Sequence, residues 1–306
     1  MPHQLQAEIL DARYLFALHH RRQRRSSSGA DSTPRKHPCS PASMVARMWI
    51  RLRQIAVTTG ELARTSADIQ SVLGVEPCFT DPGVGIFGLK NVLWPVGTQF
   101  LECVTPTQPD TAAARYQQRR GGDTGYMVIT QVSDVAARRA HVDELGVRIA
   151  FEMNHPDEGH VGMQLHPADT GGAFFEMDQM TGPGGDAVGG AWTPAGSNWE
   201  PYVCTDKVSG IAAAELQSPD PGRLAERWSQ IAQIDLGADA DGHPTIQLDN
   251  ATLRFVPEAD GRGEGLGGID VTTVDRDAVL AAARARDCYV NDSQVALAGL
   301  RVNLVD

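Results

Sequence analysis

One phrase occurs four times in this 306-residue chain: an apolar strand, a polar cap, an amphipathic helix and then two or three short strands. The first copy runs through residues 50–59 into a helix at 62–73 that breaks at Gly74. The second runs through 126–134 into a helix that reaches Leu145 and breaks at Gly146. The third joins 210–221 to a helix at 222–234, and the fourth joins 268–275 to a helix at 276–287. The period changes from two to 3.6 within each copy, which is the change from strand to helix. Ser or Asp at the helix starts supplies N-caps, and the two glycines supply left-handed C-caps. Four copies of one supersecondary unit are an internal repeat, so the chain is expected to assemble by pairing units.

The short strands that follow each helix complete the unit as βαβββ. In the first copy they are read at 84–89, 91–94 and 98–104, and in the second at 148–151, 160–165 and 172–177. In the third they are read at 245–248 and 252–256, and in the fourth at 288–290, 294–297 and 300–305. Between the second and third copies lies Thr181-Gly182-Pro183-Gly184-Gly185-Asp186-Ala187-Val188-Gly189-Gly190, a Pro/Gly run that breaks the chain. The expected organisation is therefore α+β, with domains at residues 49–180 and 200–306 and a linker at 181–199.

Residues 1–48 differ in kind. They hold eight Lys/Arg against three acidic residues, +5, which leaves −16 for the rest of a chain whose net charge is −11. A short helix at 5–20 and a basic, Ser/Pro-rich tract are expected there, disordered overall, with Met44 and Met48 as candidate translation starts. The acidic remainder argues against nucleic acid as a partner, because phosphate binding needs clustered Lys and Arg. No apolar run approaches the length of a membrane span, so no membrane partner is expected. Five cysteines, at 39, 78, 103, 204 and 288, have no C-x-x-C spacing; free thiols in a reducing, cytoplasmic setting are the expectation.

The stretch that bears on chemistry is residues 164–177, a strand, a Pro/Asp/Gly/Gly turn and a second strand. There Glu176 stands among Phe174, Phe175 and Met177. A carboxylate in such company is either on an exposed edge or buried at a cost that a metal, a cation or a proton must meet.

Paired βαβββ units, closed by Leu101-Glu102-Cys103-Val104-Thr105-Pro106 in the first and Leu165-His166-Pro167-Ala168-Asp169-Thr170-Gly171-Gly172-Ala173-Phe174-Phe175-Glu176 in the second, resemble the vicinal oxygen chelate superfamily of glyoxalases, bleomycin-resistance proteins and extradiol dioxygenases. The second phrase is most similar to the final strands of methylmalonyl-CoA epimerases within it. The resemblance implies two cup-shaped domains and, in the first, four inward positions around a divalent metal (Zn, Ni, Co, Mn or Mg): Gln54, Glu102, Met127 and Glu176. Met127 departs from the pattern, which has His, and a thioether suits soft ions rather than these. His160 or His166 would be the substitutes; His166, in the turn, and His141 and His155 read as structural or surface residues.

The equivalent second-half positions read Ala213, Arg254, Gly268 and Asn303, so that domain is expected to be degenerate, either a packing partner or a lobe in which Arg254 meets an anion. The implied activity is isomerase, epimerase or lyase chemistry on a small oxygenated substrate, with Glu176 as base and Glu102 as acid, and no nucleotide cofactor. Ring cleavage by iron is disfavoured for want of two His and a Glu in the second half. The alternative is a non-catalytic protein that binds or sequesters a small molecule in an apolar cup. Met127, Trp94, Phe100, Tyr126, His160 and Phe174, with Phe87 and Phe151, are the candidate lining. A monomer of paired domains and a homodimer are both compatible with this reading.

Overall fold

The computed structural model describes residues 48–306. The expectations for the basic extension lie outside the described residues. The first half builds a seven-stranded sheet from β1 (Ile50–Thr58), β2 (Leu89–Val96), β3 (Gln99–Pro106), β4 (Thr124–Val132), β5 (Ile149–His155), β6 (His160–Leu165) and β7 (Phe174–Met180). Its spatial order is β2-β3-β1-β4-β7-β6-β5. The second half builds an eight-stranded sheet from β8 (Val208–Ser218), β9 (Leu236–Ala238), β10 (Pro244–Gln247), β11 (Thr252–Pro257), β12 (Gly265–Thr273), β13 (Tyr289–Asn291), β14 (Gln294–Leu297) and β15 (Leu300–Val305). Its order is β13-β14-β15-β12-β8-β11-β10-β9. In each sheet the leading strands of the two units pair antiparallel at the centre, β1 with β4 and β8 with β12. Each leading strand then takes the last strand of its own unit as a parallel neighbour. Two copies of this pattern are the two glyoxalase-like cups.

The repeat helices are α1 (Leu62–Leu73), α3 (Val135–Glu144), α5 (Pro221–Ala232) and α6 (Arg276–Ala285). Asp134, Asp220 and Asp275 cap the last three by accepting from the backbone N–H three residues on, at 2.9–3.0 Å. Gly74 ends α1 in the left-handed region at φ +69°. α2 (Ala112–Arg120), capped by Thr111, and a one-turn α4 (Pro167–Thr170) complete the helices. The expected strand at 84–89 is instead a 3-10 segment, Pro82–Phe87. Asp81 turns back to accept from the Gly83 N–H at 2.7 Å, and Gly88 leaves the segment at φ +67°. That closed turn outweighs the strand-like apolar residues Val84, Ile86, Phe87 and Leu89.

The helices cover the convex side of both sheets and share one core with them. Trp228 of α5 stacks on Phe175 of the first sheet at 4.5 Å and meets Phe255 of the second edge-on at 6.1 Å. The sheets also touch directly. Asp249 and Asn250, in the β10–β11 turn, bond the backbone of Ile50 and Leu52, and Gln99 bonds both backbone groups of Ile211 at 2.8 Å. No helix is long and apolar enough to cross a membrane.

Candidate functional site

The strand register puts the four inward positions on one face. Ala56 of β1 is opposite both Glu102 of β3 and Met127 of β4, and Gln54 is opposite Ile129, which in turn pairs with Glu176 of β7. Side chains two apart on a strand share a face, so Gln54, Glu102, Met127 and Glu176 all enter the concavity of the first sheet. All four are buried.

Two of them are tied into a hydrogen-bonded chain. Gln54 Nε2 donates to Glu102 Oε2 at 2.8 Å, and Asn91 Nδ2 donates to Glu102 Oε1 at 2.7 Å. Gln54 Oε1 in turn accepts from the indole of Trp192 at 2.8 Å. Burial pushes the Glu102 carboxyl up, and the two amide donors oppose that rise.

Glu176 has different company. Asp178, two residues on and therefore on the same face, lies beside it, and burial together with that neighbour pushes Glu176 well above the usual carboxylate range. Asp178 is raised as well, again by burial. Glu176 Oε2 and both oxygens of Asp178 find no donor among the described residues. Two carboxyls so placed cannot both ionise, and the pair holds a proton between them. His160 Nε2 stands 3.4 Å from Asp178 Oδ1, and burial lowers its imidazole below the ordinary histidine value, against the pull of Glu176 and Glu158. Gln164 of β6 completes the group, directly opposite Glu176, and its amide opposes the rise of that carboxyl.

An aromatic wall runs beside these carboxyls. Tyr116 of α2 lies 5.4 Å from Tyr126, which lies 5.1 Å from Phe174. Phe87, from the 3-10 segment, meets Phe151 of β5 edge-on at 5.2 Å, so the segment reaches across to the far arm. Phe100 is fully buried beneath Trp199, 5.0 Å away. Trp94 is a correction to the expected lining: it lies in the core on the helix-covered side. His166 is structural, its Nδ1 accepting from the Ala168 N–H at the start of α4. His141 bonds the Gln230 carbonyl on the surface, and His155 faces His160 across β5 and β6.

Sequence reading missed Asn91, Asp178 and Trp192. Glu176-x-Asp178 on a strand was a usable signal, since alternate residues share a face. Trp192 carried none, lying beyond the Gly/Pro run.

A divalent metal at the four positions fits this arrangement poorly. Gln54 Oε1 is taken by Trp192, both Glu102 oxygens are taken by amides, and Met127 offers a thioether. Nor does His160 complete a set with Glu102 and Glu176. Among the described residues, the group of three His, Cys, Asp or Glu whose ligand atoms come within 4.8 Å of one another is Asp239, Asp241 and His243, in the β9–β10 turn.

In the second cup, Arg254 stands opposite Glu215, just as Glu102 stands opposite Ala56. Its guanidinium donates to both oxygens of Asp270 at 2.6 and 2.7 Å and to Glu215 Oε2 at 2.8 Å. Arg301 donates to Glu215 Oε1 at 2.7 Å, and Asn303 to Asp270 Oδ1 at 2.8 Å. Arg254 is thus engaged internally rather than presented to an anion.

No protein-family model and no curated protein matches the sequence. Solved structures do. A hypothetical protein from Staphylococcus aureus aligns at TM-score 0.56 and 12% identity, over 84% of this chain and 99% of its own. An Mn(II)-bound glyoxalase from Novosphingobium aromaticivorans aligns at 0.56 and 13%, over 83% and 80%. A triple mutant of 4-hydroxymandelate synthase from Streptomyces coelicolor aligns at 0.55 and 12%, over 78% and 75%. At these identities the likeness is one of fold, and it spans both sheets: the chain has the fold of the vicinal oxygen chelate superfamily, in two paired domains.

Proposed function

We propose that the first cup is the active site of an isomerase, epimerase or lyase that moves a proton on a small oxygenated carbon acid. The observation that carries this reading is the buried Glu176–Asp178 pair. A carboxyl pair that shares one proton can give or take it near neutral pH, as a general acid or base requires. Glu176 faces the cup beside Phe174 and Ile129, and Asp178 stands next to it as the carboxyl with which it shares the proton. Glu102, with an amide donor on each oxygen, is presented as an acceptor. It suits binding a substrate hydroxyl or taking a proton better than the donor role expected for it. Met127, Tyr126 and Phe174 supply an apolar wall that excludes water from the carboxyls. In this reading residues 49–180 form the working domain, 181–199 connect, and 200–306 form a supporting domain closed by the Arg254 network. No step is assigned to a metal, because Gln54 and Glu102 are engaged within the protein and Met127 offers a thioether.

A second reading, a protein that binds a small molecule without changing it, is favoured by the closed chain from Trp192 to Asn91, which holds Glu102 without any substrate. The two are separated by following solvent deuterium into 2-oxoaldehyde adducts, CoA thioesters and small aromatics by NMR. Proton transfer predicts exchange that falls about 10²- to 10⁴-fold in Glu176→Gln. A ligand bound without exchange, and equally well by Glu176→Gln and Glu102→Gln, establishes the binding reading and rejects the enzyme.

A further inference from the structure

The segment that joins the two sheets is built into the wall of the first cup. Arg51 and Arg53 of β1 donate to the carbonyls of Asp186 and Gly190, and Gln131 of β4 donates to that of Gly185. The Arg53 guanidinium lies 5.4 to 5.7 Å from the rings of Phe100, Trp192 and Trp199, a cationic centre within an aromatic cage. Trp192 is 1% exposed and Trp199 3%.

From this geometry we propose that Trp192 is a positioning residue of the first cup, which orients Glu102 through the amide of Gln54. The functional meaning of that orientation rests on the proton-transfer reading above. The argument is one of donor and acceptor identity. An indole N–H can only donate, so the atom of Gln54 that faces Trp192 must be its carbonyl oxygen, and its NH2 must then face Glu102. The choice between the two ends of an amide is often ambiguous, and here a donor-only partner settles it. The same logic runs on the other side. The Asp81 backbone N–H donates to Asn91 Oδ1 at 2.8 Å, which turns the Asn91 NH2 toward the other Glu102 oxygen.

Each oxygen of Glu102 is thus reached by a relay that starts at a fixed donor in a covering segment: the 3-10 turn on one side and the connecting segment on the other. All four relay side chains are buried, so no bulk water substitutes for a lost donor. If Trp192 only filled space, its N–H would be dispensable and its ring would be all that mattered.

Trp192→Phe keeps a flat ring and removes the donor. In the full-length, isotope-labelled protein, this variant is expected to speed solvent exchange of the Gln54 side-chain amide at least tenfold while leaving the Asn91 amide protected. In the protein with Trp192 intact, Glu102→Gln is expected to move the Trp192 indole resonance through Gln54, and Asn91→Ala is not. An unchanged Gln54 amide in Trp192→Phe, or an unmoved indole in Glu102→Gln, would overturn the proposal; the second measurement stands even where Trp192→Phe folds poorly. Where the wild type exchanges substrate protons, Trp192→Phe is expected to lower kcat with KM retained. A wild type without exchange would fail the proton-transfer reading alone, since the resonance tests need no turnover.

Discussion

Asp178 occupies the space above Gly162: a Cβ at position 162 would come within 1.8 Å of Asp178 Oδ1. The two residues are partners in register across β6 and β7, so the carboxyl can be buried at this place only because its neighbour has no side chain. Gly162→Ala is therefore expected to destabilise the protein by about 1–3 kcal/mol, the usual cost of overpacking. Denaturant unfolding of Gly162→Ala, Asp178→Ala and the double variant checks it. The double variant is expected to lose less than the two single losses added together, because removing the carboxyl vacates the clash.

The carboxyl pair also sets a sign for the pH dependence of stability. Its folded-state pKa values lie above those of the unfolded chain, with Asp178 raised to about 7, so between about pH 4 and 7 the folded protein holds more protons than the unfolded one. Stability from this pair is then full at the acid end and is lost as the pH rises through about 7. Thermal unfolding of the wild type is expected to move to lower temperature between pH 6 and 8, and by less in Asp178→Asn. An equal slope in the two proteins would remove the pair as its source.

The Arg254 network makes a third case. Arg254→Met takes the guanidinium from Asp270 and Glu215, both under one-tenth exposed, and leaves Asp270 with Asn303 as its hydrogen-bond donor. Removing one partner of such a pair is expected to cost about 3–5 kcal/mol. Adding Asp270→Asn is expected to recover part of the loss. Chemical denaturation of the single and double variants measures both.

Trp228 ties the two sheets through their shared core, stacked on Phe175 and edge-on to Phe255. Trp228→Ala is expected to cost about 3–5 kcal/mol. Amide hydrogen exchange should show the loss in both sheets, in β7 and β11 alike, rather than in the domain that supplies the tryptophan.

The fold was legible because its grammar is local. Strand alternation, Asp caps and glycine stops mark most repeat elements within a residue or two, and the helix at Leu62–Leu73 and the strands at His160–Leu165, Gln294–Leu297 and Leu300–Val305 fall where the pattern puts them. Other elements were not legible. The 3-10 segment Pro82–Phe87 has the apolar spacing of a strand but is folded by one aspartate and its glycines, and α2, rich in Arg and Gln, has little apolar face to announce it. β9 (Leu236–Ala238) is three exposed residues long.

The inward positions Gln54, Glu102, Met127 and Glu176 were legible only through the family resemblance, which implies one from the first and one from the last strand of each unit. Their partners were not. Trp192 approaches Gln54 across 138 positions of sequence, and no periodicity relates the two.

The direct contacts between the sheets bear on what the connecting segment is for. Asp249 and Asn250 hold β1, Gln99 holds β8, and the backbone at Gly97 comes so near Ser209 that a Cβ would lie 2.2 Å from its carbonyl oxygen. The halves have no need of a tether to stay docked. A single nick at Val188, 73% exposed on the outer side of the segment, should leave two fragments that migrate together. A stretch released from tethering is free to serve as wall, which is how a Gly/Pro run comes to deliver a tryptophan to the floor of the neighbouring cup.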